Sequence, residues 1–105
     1  MGYDVVTLDA TGRQWVASET LHPDEWWAVR EASWLRPIPM LTSLPDLYGD
    51  ERTFSLPEVR SLIDELDYLD SAPTRPPELG RALWKLRRVA LVAVKGTSPL
   101  LVLPD

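Results

Sequence analysis

The chain reads as an α+β fold: a small sheet, built from an N-terminal β-hairpin and a C-terminal strand, packed against two long helices. A short Trp-rich helix and a long Pro-rich loop complete it. Three observations predict this class. Residues 3–17 hold β-branched runs around a turn, residues 56–70 and 78–95 repeat apolar residues at helical spacing, and LLVL at 100–103 is apolar on both sides. At 105 residues, a single globular domain spanning 1–105 is expected, large enough for a core without covalent staples.

Tyr3 to Asp9, YDVVTLD, is the first expected strand. The turn is DATG, where Gly12 supplies the positive φ that follows a type I turn. Arg13 to Ala17 returns as the second strand. Pro23, followed by Asp24 and Glu25, has the composition of a first helical turn, and Pro37 forces that helix to stop near Leu35. The stretch 36–54 has three prolines and reads as a loop, with Ile38 to Thr42 a candidate edge strand.

Ser55-x-x-Glu58 is a capping box, and Leu56, Val59, Leu62, Ile63, Leu66 and Leu69 keep helical spacing to about Asp70. SAPTRPP at 71–77 is a stiff connector. The last segment admits two readings: a hairpin around 95–99, or a helix from Glu78 to Lys95 capped by Gly96. Charge pattern favours the helix, because Arg81, Lys85, Arg88 and Lys95 share one face while Leu79, Leu83, Leu86, Ala90 and Val94 line the other. Leu100 to Leu103 then forms a central strand.

Composition narrows the chemistry. The net charge is −5, and it is unevenly spread: residues 1–72 carry fourteen acids against five arginines, while 73–105 carry six cations against two acids. A negative chain is repelled by phosphate backbones and anionic lipid, so neither nucleic acid nor membrane is an expected partner, and a protein with a basic surface is. Cysteine is absent, which removes disulfides, thiolate catalysis and cysteine metal sites and suits a reducing, cytoplasmic compartment. No signal-like start or membrane-length apolar run is present.

The single histidine, His22, sits at the start of the first helix without a motif that would make it a base or a ligand. Asp64, Glu65, Asp67 and Asp70 have the spacing of a solvated helix face rather than of paired catalytic acids. The DLYGDE stretch lacks the alternating oxygen ligands of a calcium loop. Neither an enzymatic role nor a cofactor is therefore expected.

The aromatic content is the distinctive feature. DEWWAVREASWL, residues 24–35, holds three of five tryptophans. Ala28, Ala32 and Leu35 share a helical face with Trp27 and Trp34 at its margin, so those two rings are expected in the core and Trp26 outside it. With Arg30 and the loop residues Met40, Leu44 and Tyr48, Trp26 would form an apolar contact surface beside an acidic flank, Asp64 and Asp67. The alternative is that the loop folds over Trp26 and merely completes the core. The function expected from this pattern is a small acidic protein-binding module of the inhibitor, immunity or antitoxin kind. Two alternatives are a small-ligand pocket between the Trp-rich helix and the Pro-rich loop, and a self-associating domain that forms a homodimer.

Overall fold

The computed structural model describes residues 2–9, 11–35, 38–45, 49–72 and 75–104; the side chains of residues 3, 34 and 35 are not among them. Four strands form one antiparallel sheet: β1 (Tyr3–Leu8), β2 (Trp15–Leu21), β3 (Arg52–Phe54) and β4 (Leu100–Pro104), in the order β2-β1-β4-β3. Among the described residues four helices accompany it: α1 (Pro23–Leu35), α2 (Pro39–Thr42), α3 (Leu56–Asp70) and α4 (Pro77–Lys95). Among the described residues, no helix is long and apolar enough to cross a membrane.

The hairpin forms where the turn residues put it. The Gly12 N–H donates to the Asp9 carbonyl, and Gly12 adopts φ 72°. The Asp9 carboxylate accepts from the Thr11 N–H, the Thr11 hydroxyl and the Arg13 N–H, which locks the tip. These donors hold the Asp9 carboxyl below the usual carboxylate range, the Thr11 hydroxyl contributing most. The second strand starts later and runs further than Arg13 to Ala17, because a bulge opposite Thr7 and Leu8 re-registers Trp15 and Ala17 and pairing then continues to Leu21.

The main correction concerns residues 36–54. Ile38 to Thr42 is not an edge strand: Pro39 starts the one-turn helix α2. Its first free N–H groups, from Met40 and Leu41, are both taken by the carboxylate of Glu65 on α3, at 2.9 Å each. A tertiary cap of this kind leaves no local signature. The fourth strand, β3, comes from the same stretch and makes β4 a central strand between β1 and β3.

Helix α4 takes the helical alternative through Lys95. Its C-terminus shows the paired bonds of a Schellman motif: Ser98 N–H to the Ala93 carbonyl and Thr97 N–H to the Val94 carbonyl. The left-handed residue is Thr97, at φ 50°, one place beyond Gly96, which itself has φ −88°.

The core lies on one face of the sheet. Val5, Leu21, Phe54, Leu100 and Val102 point into a single cluster with Leu62 and Leu66 of α3 and Leu86, Val89, Ala90 and Ala93 of α4. Helix α4 packs over β1, β2 and β4, with α3 beside it, and α1 and α2 complete the cluster. Burying a side chain of this size stabilises the fold by about 1.5–3 kcal/mol each.

Candidate functional site

Of the two described rings of the Trp-rich segment, one is in the core and one on the surface; the Trp34 side chain lies outside the described residues. Trp26 is 6 % exposed, whereas Trp27 is 50 % exposed and meets it edge-on at 4.9 Å between centroids. This reverses the expected assignment of Trp26 and Trp27. The apolar residues of α1 are spread around the helix, and the face that packs is Glu25, Trp26, Val29 and Ser33, with Ala28 and Ala32 at its margin.

The loop closes over Trp26. Its indole N–H donates to the Pro45 carbonyl at 3.0 Å, and the Arg30 guanidinium stacks 5.0 Å above the ring. That guanidinium also donates to the Thr42 and Leu44 carbonyls, both at 2.8 Å. Leu44 is buried and Met40 partly so. Trp26, Arg30 and Leu44 therefore hold the loop onto the core. Tyr48 lies outside the described residues.

Most charges are satisfied internally. The buried Glu25 accepts from Lys85 at 2.8 Å and from the His22 N–H at 2.9 Å, so His22 serves as the helix N-cap. Arg81 approaches Asp24 and Glu25, Arg88 approaches Glu19, Arg75 pairs with Asp70, and Arg87 pairs with Asp67. Five cations of the basic C-terminal third thus pair with five of the acids that precede it. Asp67, tied to Arg87, is committed to holding α3 against α4.

Asp64 differs. It stands on the exposed ridge of α3 and enters no ion pair among the described residues. Together with Tyr68, 51 % exposed, it borders a groove of about 360 Å³ between α2 and α3 whose remaining walls are Ile38 and Glu65. Glu65 fixes the α2 side of the groove through its two backbone bonds. The lining is apolar with a carboxylate at its rim and an aromatic ring along one wall, a combination suited to the stem and head of a lysine or arginine.

A second cleft of similar size lies between α3 and α4, lined by Leu66, Asp70, Arg75, Gly80, Leu83, Trp84 and Arg87. Its guanidiniums face Asp70 and Asp67, which leaves the cleft without net charge. Of the sequence-expected contact residues, Asp64 is the one the structure leaves on an open groove. Tyr68 and Trp84 were missed, since each occupies the polar side of a regular helical pattern, and their exposure was itself the readable signal. Comparison with protein-family models, with curated proteins and with solved structures gives no match for this chain.

Proposed function

We propose that this chain is a protein-binding module of the inhibitor or immunity kind, which captures a basic side chain of its partner in the groove between α2 and α3. One observation carries the reading: Asp64, outside the ion pairs among the described residues, shares an apolar groove with the exposed ring of Tyr68. The groove walls are preordered by Glu65, so little conformational entropy is lost when a side chain enters. The net charge of −5 favours encounter with a basic surface. A cysteine-free chain also suits a reducing compartment such as the cytoplasm.

The test is capture of partners from the native host by immobilised chain, with the wild type compared against Asp64→Lys and Tyr68→Ala. A basic protein retained by the wild type and lost from both variants supports the reading. Retention unchanged in both variants overturns it. Titration of the captured protein should place most of the loss in Asp64→Lys, which sets a like charge against the incoming cation.

A further inference from the structure

The face of the sheet opposite the helices carries a second pattern. Paired residues of an antiparallel ladder point the same way, so the register places Asp4, Val6 and Leu8 of β1 beside Leu101 and Leu103 of β4. Across the other ladder stand Thr20, Ser18 and, beyond the bulge, Trp15. Thr53 lies on the outer side of β4. None of these residues belongs to the core cluster under the helices. Val6, at the middle of this face, is fully buried; the accessible part is Trp15, 55 % exposed, with Leu8, Leu101 and Leu103 partly so and Ser18, Thr20 and Thr53 around them.

The edges of this sheet are already occupied. Lys85 donates to the Thr20 carbonyl at 2.8 Å and Arg88 to the Ser18 carbonyl at 3.4 Å on β2, while Arg52 donates to the Thr53 carbonyl at 2.7 Å on β3. Cations on edge carbonyls discourage the addition of another strand. Any association through the sheet is directed to its face.

Charge is distributed along that face, not across it. At one end stand Asp4 and, continuing the register opposite Leu103, Glu51. At the other end is the hairpin tip with exposed Arg13, two residues before Trp15. The tip also holds Asp9, whose carboxylate is engaged by three donors of its own turn. No lysine or arginine occupies a strand position on this face.

We infer that this face docks a second copy of the chain, sheet against sheet, about a two-fold axis lying across the strands. An axis along the strands would bring Asp4 over its own counterpart and repel. The crossed axis lays each strand over its own counterpart and sets Arg13 of each copy toward Asp4 of the other, with Trp15 over the Ser18–Thr20 part of the facing β2, an isologous contact with opposite charges matched twice. A face of four short strands is at the low end of the roughly 1,000–1,200 Å² that specific interfaces bury, so dissociation in the micromolar range is expected. This inference is independent of the groove beside α3, which the contact leaves open.

Sedimentation of the intact chain across the micromolar range, with charge-swap variants, tests it. The wild type should form a dimer. Arg13→Glu and Asp4→Arg should each weaken it by about tenfold or more, and the double swap should restore it to within about threefold. Asp64→Lys, on the groove, should leave it unchanged. A wild type that stays monomeric, single swaps without effect, a double swap that stays weak, or a dimer lost through Asp64→Lys each overturns the proposal. Circular dichroism of every variant ensures that a lost dimer is not an unfolded chain.

Discussion

The ammonium of Lys85, on the middle of α4, lies 2.8 Å from the carboxylate of Glu25 in the first turn of α1, and that carboxylate is 1 % exposed. The pair joins residues sixty positions apart and also borders the edge strand β2, because the same ammonium donates to the Thr20 carbonyl. Glu25 is therefore a buried charge whose compensation arrives from another element.

Removing Lys85 should be costly. Lys85→Met leaves Glu25 in the core with Arg81, whose Nε is 3.5 Å away, as its remaining cation. A loss of about 3 kcal/mol is expected in urea unfolding at neutral pH, since breaking one half of a buried pair strands the other charge. The double variant Lys85→Met, Glu25→Gln should recover part of that loss. A single-variant loss under about 1 kcal/mol would mean that Glu25 regains water.

The two adjacent tryptophans should separate in the same assay. Trp26→Ala empties a core site and removes the bond to Pro45, so a loss of about 3–5 kcal/mol is expected. Trp27→Ala removes a half-exposed ring together with its edge-on contact to Trp26, and a smaller loss of about 1 kcal/mol is expected. Equal losses would contradict the placement of the loop over Trp26.

Acid stability should depend on Glu58. Its carboxylate accepts from the Ser55 N–H, from Arg52 and from the Ser55 hydroxyl, and these bonds hold its pKa down to about 2 against the ordinary 4.5. The folded value lies below the unfolded one, so the contribution is fully present above about pH 4.5 and is lost as pH falls toward 2. Melting temperatures of Glu58→Gln should be lower than wild type at neutral pH and converge with it at the acid end. A constant gap down to pH 2 would show that the side chain acts by packing alone.

Thr97 offers a stabilising change. A β-branched residue at φ 50° is strained, and the Schellman geometry there asks for glycine or asparagine. Thr97→Gly should raise stability by about 0.5–1 kcal/mol, read as an upward shift of the urea midpoint at unchanged slope. A downward shift would imply that the Thr97 hydroxyl bond to the Gly96 carbonyl outweighs the backbone relief.

Local chemistry accounts for what was legible. Pro23 and Pro37 bound α1, Ser55 and Glu58 start α3, Gly12 turns the hairpin, and the apolar repeats of α3 and α4 show which sides pack. Each of these signals acts within one or two helical turns, so the order of residues suffices to read it. The acidic ridge of α3 was legible for the same reason, and it delivered Asp64 to the candidate groove.

Tertiary structure decided the rest. Helix α2 depends on a carboxylate twenty-five positions away, β3 is a three-residue strand that exists because β4 offers it an edge, and Trp26 is buried because Pro45 and Arg30 close over it. Which side of α1 packs could not follow from a pattern whose apolar residues surround the helix. Whether a charge is free or spent depends on partners sixty residues off, as with Lys85 and Glu25. Local order selects the elements of this protein; long-range pairing selects which side chains they leave to the solvent.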